Sequence, residues 1–488
     1  MKQLVIGLGE SGLAMVRHAV RMGVSVAIYD SRTAPAQLPV LNERYPEVAA
    51  LCGGFKAEYL DGITEVAISP GLSPHASPLK EILALAAERN INVAGELDLF
   101  ARALSDLHAT QNYAPKVLAV TGTNGKTTVT ALTQHLCESV GVNAIAAGNI
   151  SPSMLDALCD AQQTESLPAV WVLELSSFQL QFAREFNPHA ATVLNISQDH
   201  LDWHADMAEY IAAKAKVFGA QTIQVLNRDD VTVMTMAREE LMPMSFGVNK
   251  PTQVNEYGLW RDGAMDWLSV ANAMPETEPR KKRSKTTEVE VGVDVQRLMP
   301  ADALKIRGRH NAMNALAALA LCRAIDLPLA KLLHGLRTYA GEPHRLQFVA
   351  HVNGVDFYND SKGTNVGATL AALQGLGQPI VLVAGGDGKG QDFSPLFHAV
   401  QTHVKRIDLI GKDALLMKEA LSATGVEIHL HDSLEAATQA AAQAAQPGQA
   451  VLLSPACASL DMFKNYPHRG QVFVSAVQSW ANEQGQVE

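Results

Sequence analysis

One short stretch constrains this 488-residue chain more than any other. An apolar run at residues 117–120 passes straight into Thr121, Gly122, Thr123, Asn124, Gly125, Lys126, Thr127 and Thr128, and a helical pattern then continues to about residue 140. A strand that ends in a glycine turn and re-enters as a helix aims backbone N–H groups at one spot, where the helix dipole favours an anion. Lys126 brings a positive charge to that spot, and the Thr127 hydroxyl can ligate Mg²⁺. The spacing departs from strict G-x-x-x-x-G-K-[ST], because residue 120 is Val and the first glycine is Gly122. A merely structural turn has no need of Lys-Thr-Thr at the helix start, so ATP binding is expected.

The beginning of the chain repeats the same rhythm. Residues 4–7 read as a strand, 11–22 as a helix, and 24–29 as a second strand that ends at Asp30. Residues 66–68, followed by Ser69, Pro70 and Gly71, and residues 91–93 continue the series, which predicts a parallel α/β sheet. Gly7, Gly9 and Gly12 fit G-x-G-x-x-G, with Ser11 inside the motif, and Asp30 could accept from a hydroxyl on a nucleotide. On these residues alone an NAD-dependent oxidoreductase, another nucleotide site and a ligand-free turn all remain open.

Length supports about three domains at roughly 150 residues each. With 47% hydrophobic and 18% charged residues, the chain can bury several cores. Its net charge of −11 argues against a general nucleic-acid or anionic-membrane binder. Five scattered cysteines without a C-x-x-C pair argue against a disulfide framework or a thiolate zinc site. Residues 1–9 enter a strand at once rather than a leader, and the nearest approach to a membrane span, 312–321, is shorter than the roughly 20 residues needed and broken by Asn314. A cytoplasmic, monomeric protein is expected. Residues 107–115 read as a linker, 271–285 as a solvated loop, and Gly341-Glu342-Pro343 as a second boundary. The expected fold is three α/β domains at 1–112, 113–340 and 341–488: a Rossmann-like domain, a P-loop ATPase-like parallel-sheet domain and a second Rossmann-like domain.

Further polar groups follow apolar strands. Glu174 stands in LELSSF at the end of the run 170–175; a buried carboxylate is costly unless paired or metal-bound. Asn195 ends the strand candidate 191–195 and His200 follows it, and residues 311–325 read as an alanine- and leucine-rich helix. In the last third, strand candidates at 355–358, 380–383, 407–410 and 450–453 accompany four polar segments, and residues 438–449 read as a helix and turn. The segments are PHR (343–345), NDSKGTN (359–365), GGDGK (385–389) and LSPACASLD (453–461). Loops at the carboxyl edge of a parallel sheet are where ligands gather, and Lys362 and Lys389 suggest an anionic one.

Taken in order, these segments resemble the Mur ligase family of ATP-dependent peptidoglycan-precursor ligases, over nearly the whole chain. TGTNGKTT, LELSSFQL, GRHNAMNALAA and PHR look like the family core. NDSKGTN, GGDGKGQDF and LLSPACASLDMFKNYPHRG look like its D-glutamate-adding branch.

The resemblance implies UDP-N-acetylmuramoyl-L-alanine, D-glutamate and ATP as substrates, with an acyl phosphate between two steps. It implies that Gly122–Thr128 cradle ATP, with Lys126 on its phosphates, Asn311 at adenine, Arg345 at the terminal phosphates and Asp360 at the ribose. Thr127 and Glu174 would hold one Mg²⁺, and His200 with Lys214 a second, Lys214 being carbamylated by CO₂. At pH 7 only about one lysine in a few thousand is neutral. A cation at Lys214 would repel Mg²⁺, whereas a carbamate offers it two oxygens. The uridine nucleotide would lie at Gly9, Ser11, Gly12, Asp30, Ser31, Arg32, Ser69, Pro70 and Gly71, and its alanyl carboxylate near Asn149, Ser176 and His200. Lys362, Thr364, Lys389, Ser459, Leu460 and Tyr466 would shape the D-glutamate pocket, Tyr466 standing where some relatives carry Phe.

Overall fold

The computed structural model of the protein describes residues 2–274 and 293–485. Three sheets carry the described chain. The first has β1 (Lys2–Ile6), β2 (Ser25–Asp30), β3 (Ala49–Cys52), β4 (Glu65–Ile68) and β5 (Asn92–Gly95), all parallel, in the order β3-β2-β1-β4-β5. The nearly continuous burial of β1 and β4 fits a sheet covered on both faces.

The second sheet has nine strands in the order β14-β13-β12-β11-β10-β9-β6-β8-β7. Its parallel part comprises β6 (Lys116–Thr121), β7 (Ala144–Gly148), β8 (Val170–Glu174), β9 (Ala190–Val193), β10 (Ile223–Asn227), β11 (Met244–Gly247) and β12 (Glu256–Asp262). β13 (Met265–Ala273) and β14 (Val293–Pro300) extend it in antiparallel fashion. The third sheet, β15-β16-β20-β17-β18-β19, is built from β15 (Gln347–Val352), β16 (Val355–Asn359), β17 (Ile380–Gly385), β18 (Val404–Ile410), β19 (Glu427–Leu430) and β20 (Ala450–Leu453). Only its edge pair, β15 with β16, is antiparallel.

By contacts the chain forms two compact units: residues 1–300 with 314–336, and residues 301–313 with 337–488. The first two sheets merge because one apolar core runs through both, from Val5 and Leu97 to Trp171 and Phe218. The helix Glu96–Gln111 packs Phe100 edge-on against Trp171 at 5.3 Å. Arg17 on the helix Glu10–Arg21 binds Asp156 and Asp160 on the helix Met154–Gln163.

Three sequence expectations are corrected. Residues 107–111 are the last turn of Glu96–Gln111, not linker, because Leu107 is buried; the chain leaves the helix at Asn112, in left-handed conformation (φ 55°). Ala271, Asn272 and Ala273 end β13 instead of opening a loop, Ala271 being buried beside β12, while 275–285 lie outside the described residues. The helix expected at 438–449 starts earlier, as Leu434–Ala444, since Ser433 caps it by accepting from the Ala436 amide.

Candidate active site

β6 delivers the chain at Thr121 into the glycine turn, and the helix Lys126–Ser139 leaves it. Gly125 is in left-handed conformation (φ +85°), and a Cβ there would meet Asn314 Oδ1 at 2.8 Å, so the turn closes only with glycine. The Lys126 ammonium arches back to donate to the Gly122 carbonyl at 2.9 Å and the Thr123 carbonyl at 2.8 Å. Asn195 clamps the turn from β9: its Oδ1 accepts from the Asn124 amide and its Nδ2 donates to the Asn124 carbonyl. Thr127 is buried at the start of the helix.

Glu174 reaches the same place because β8 pairs with β6 in register, Val120 opposite Glu174. Its side chain is 2% exposed. Oε1 accepts from Asn149 Nδ2 at 2.8 Å, whereas Oε2 is buried without a hydrogen-bond partner among the described residues. An orphaned carboxylate oxygen of this kind fits a hard cation. No ready-made group of three or more His, Cys, Asp or Glu ligands exists among the described residues. Mg²⁺ takes one or two protein ligands and completes its shell with water and phosphate oxygens.

Lys214, on the helix Met207–Ala215, points inward beneath the turn. Fully buried, it donates to the Gly122 carbonyl at 2.9 Å and lies 3.4 Å from Thr121 Oγ1, with no carboxylate in ion-pair range among the described residues. Burial, reinforced by the Lys126 charge, holds its pKa well below the usual lysine range against the pull of Asp199 and Glu174. Burial disfavours the charged form of its amine relative to an exposed lysine.

His200 is 44% exposed and left-handed (φ 56°), with its ring 4.7 Å from Phe178. Desolvation lowers its pKa, as do Lys126 and Lys214, against Asp199. Lys126, Thr127, Glu174, Lys214, Asn149 and His200 thus gather at the carboxyl edge of one sheet.

Two cavities share the wall formed by Ser11, Pro70 and Gly71. One, of about 260 Å³, is lined by Asn149, Ser176 and Phe178 together with Ser11, Pro70 and Gly71. Ser176 is held by a reciprocal cap with Gln179. The other, of about 570 Å³, is lined by Gly9, Ser11, Asp30, Ser31, Arg32 and Ser69 among others. Asp30 accepts from the Leu8 amide at 2.8 Å and from the Arg32 guanidinium at 2.7 Å, which holds its carboxyl down at about 2. Gly12 is not on the cavity wall. It packs against the turn, where a Cβ would fall 1.9 Å from the Gly7 carbonyl oxygen.

In the second unit, the loops after β16, β17 and β20 meet. Asp360 is buried and accepts from Ser454 Oγ at 2.7 Å and the Leu346 amide; burial raises its carboxyl to about 6 against the attraction of Arg345. The Arg345 Nε is buried with no hydrogen-bond partner among the described residues. Asn311 donates to the Arg307 carbonyl at 2.7 Å. Lys362 lies over the Tyr466 ring at 5.4 Å, and the Thr364 amide donates to the Lys362 carbonyl. Lys389 stands at φ 50° on a loop bridged to the Ser459 loop through Asp387 and Ala458. Ser459 is buried and Leu460 is 70% exposed.

Sequence reasoning missed two side chains. Tyr210 shares a 2.9 Å hydrogen bond with Thr123 Oγ1 and lies under the Lys214 amine, 4.7 Å from ring centre to Nζ. Its only sequence signal is its place one helical turn before Lys214. Arg469 is fully buried among the loops of the second unit; it lies in the quoted segment 452–470, but no role was read for it there.

Family models match in the order of the sheets: a Mur ligase MurD-like N-terminal domain at residues 1–95, a Mur ligase middle domain at 120–322 and a Mur ligase glutamate ligase domain at 344–457. The chain is 53% identical over 486 residues to the UDP-N-acetylmuramoylalanine--D-glutamate ligase of Ralstonia nicotianae, covering 99% of this chain and 97% of that one. The chain belongs to the Mur ligase family. The enzyme of the same name from Paraburkholderia phymatum is 54% identical over 488 residues, with the same coverage. Solved family structures share the fold at low identity. UDP-N-acetylmuramate-alanine ligase MurC from Thermotoga maritima has a TM-score of 0.55 at 20% identity over 98% of this chain and all of its own. A MurF from Acinetobacter baumannii has 0.56 at 17% identity over 97% and 93%.

Proposed function

We infer that this Mur ligase joins D-glutamate to UDP-N-acetylmuramoyl-L-alanine at the expense of ATP, in peptidoglycan precursor synthesis. The observation that carries the reading is the meeting of a phosphate turn, a cavity sharing a wall with a second nucleotide pocket, and an identity of 53–54% to ligases of that name along the whole chain. A NAD-dependent oxidoreductase, which Gly7 to Gly12 alone left open, is set aside by the family.

The reaction runs in two steps. The alanyl carboxylate takes the γ-phosphoryl group of ATP, and ADP leaves. The D-glutamate amine then attacks the acyl phosphate carbon, and orthophosphate departs from the tetrahedral intermediate. The amides of Gly122 to Thr128 and the Lys126 ammonium neutralise charge on the moving phosphoryl group, the main lever in phosphoryl transfer. Asn149, Ser176 and His200 orient the acceptor carboxylate. We assign Asn311, Arg345 and Asp360 to ATP, and Lys362, Thr364, Lys389, Ser459, Leu460 and Tyr466 to the incoming amino acid. Gly9, Ser11, Gly12, Asp30, Ser31, Arg32, Ser69, Pro70 and Gly71 serve the uridine nucleotide, Gly12 by shaping the turn.

Thr127 and Glu174 would hold Mg²⁺, and the unpartnered Glu174 oxygen supports that assignment. When bound, the ion spreads the negative charge of the phosphates. The buried, depressed Lys214 supports carbamylation, in which the neutral amine adds CO₂ and releases a proton, giving a second Mg²⁺ ligand set with His200. The functional domains are proposed at 1–112, 113–340 and 341–488, and the protein as a cytoplasmic monomer. Among the described residues no helix is long and apolar enough to cross a membrane.

Product mass from a panel of amino acids and nucleotide acceptors tests the reading. D-glutamate with UDP-N-acetylmuramoyl-L-alanine should give the amide, ADP and phosphate; amide formation with another amino acid and none with D-glutamate would overturn it.

A further inference from the structure

The second unit buries a guanidinium completely. Arg469, on the helix Tyr466–Glu483, is 0% exposed, and no carboxylate of the described residues lies within ion-pair range of it. All its bonds run to neutral oxygens: Nε to Ser361 Oγ at 3.1 Å, Nη2 to the Ser361 carbonyl at 2.8 Å, and Nη1 to the carbonyls of Cys457 and Ala458 at 3.1 and 3.2 Å. Burial lowers its pKa to about 10, so it remains a cation at neutral pH.

Such a charge is costly to keep without a counter-ion, and hydrophobic replacements of buried charged networks are often no less stable. Its contacts indicate what it is for. Ser361 precedes Lys362, Ala458 precedes Ser459, and Tyr466 begins the helix that carries Arg469, with its carbonyl accepting from Ser361 Oγ at 2.8 Å. The third loop packs on the same point: a Cβ on Gly386 would stand 2.3 Å from the Ala458 oxygen and 3.3 Å from Arg469 Nη1. One guanidinium thus bonds the segments that lead to Lys362 and Ser459, and the Lys389 loop joins them through the Asp387–Ala458 bridge; in a low-dielectric interior the charge is weakly screened.

We propose that Arg469 is a positioning and specificity-determining residue of the amino-acid pocket: its fork fixes the loops bearing Lys362 and Ser459, the second of which is bridged to the Lys389 loop, and its charge selects an amino acid with an anionic side chain. The inference rests on the assignment of this pocket to D-glutamate. It does not make Arg469 a catalytic residue, since the guanidinium faces loop carbonyls.

Steady-state kinetics on the full chain, with D-glutamate and its neutral isostere D-glutamine, test it. In Arg469→Met, which keeps the bulk and removes the charge, KM for D-glutamate should rise at least tenfold. The preference for D-glutamate over D-glutamine should fall at least tenfold, while KM for ATP and for the uridine substrate stays within twofold. Arg469→Lys should retain most of that preference and lose kcat. If Arg469→Met melts without a cooperative transition, Ser361→Ala takes its place: it removes one acceptor, keeps the charge, and should raise KM for D-glutamate several-fold with the preference intact. An unchanged preference in Arg469→Met, an equal rise of all three KM values, or unaltered KM values in both Arg469→Lys and Ser361→Ala would overturn the proposal. A wild-type enzyme that forms product with another amino acid but not with D-glutamate would instead remove the pocket assignment beneath it.

Discussion

In the first sheet and again in the second, a strand runs out into a glycine turn and a helix, yet the two turns are finished with opposite charges. In the first, Asp30 takes the Leu8 amide and the Arg32 guanidinium, leaving a roomy cavity with no lysine over the turn. In the second, Lys126 arches over the turn while Glu174, Lys214 and Thr127 gather behind it. The shared backbone explains why both can face a nucleotide. The difference in charge explains why only one is suited to moving a phosphoryl group, which demands cations and a metal-binding carboxylate at the site of transfer. On the proposed reading the first turn holds and the second reacts.

Removing the reacting cation should have the largest effect. Lys126→Ala should lower kcat by on the order of 10³-fold, as loss of a preorganised electrostatic group does, and leave the calorimetric Kd for the uridine substrate within about twofold. If both fell together, the two turns would not be separate sites. Lys214→Ala should lose about 10²-fold in kcat and regain part of it with added formate or acetate. Undiminished activity in the plain variant would refute the carbamate.

Gly12→Ala attacks the holding turn instead. With its new Cβ driven toward the Gly7 oxygen, it should raise KM for the uridine substrate by about tenfold or more, about 1.4 kcal/mol or more, and spare ATP. An equal effect on ATP would erase the contrast.

The mildest test concerns the support of that first turn. Glu96 is buried, accepts from the Leu155 amide, and interacts with Ser11. Burial raises its carboxyl from 4.5 to about 7, so the folded state favours the protonated form. Its contribution to stability is complete below pH 4.5, is lost as pH rises through about 7, and stays lost above that. Relative to Glu96→Gln, which keeps an acceptor without titrating, the wild type should lose up to about 3 kcal/mol across that window in denaturant unfolding. Parallel pH profiles for the two proteins would contradict this.

Much of the contrast was legible in the sequence because each turn is local. Strand, glycines, Lys126 and Thr127 are consecutive, and their chemistry follows from spacing alone. The strands β1, β2, β6, β8 and β20 were readable as short apolar runs bounded by turn residues. β3 and β19 were not, being short and only half-buried. The antiparallel extension β12 to β14 lacks the strand–helix alternation that marked the rest. The fusion of the first two sheets into one unit could not be seen either, because it depends on Phe100 meeting Trp171 and Arg17 meeting Asp156, pairs far apart in the chain. The proposed amino-acid pocket divides the same way: Lys362 and Lys389 suggested an anionic ligand, while the bonds of Arg469 to loop carbonyls, on which its proposed role rests, could not be read from the segment that contains it.

The path of one oxygen atom tests the central claim most directly. Acceptor labelled with ¹⁸O in its alanyl carboxylate is turned over with ATP and D-glutamate, and the released phosphate is weighed by mass spectrometry. Transfer of the γ-phosphoryl group to that carboxylate predicts one ¹⁸O in each phosphate formed; phosphate without label, alongside normal amide product, would contradict it.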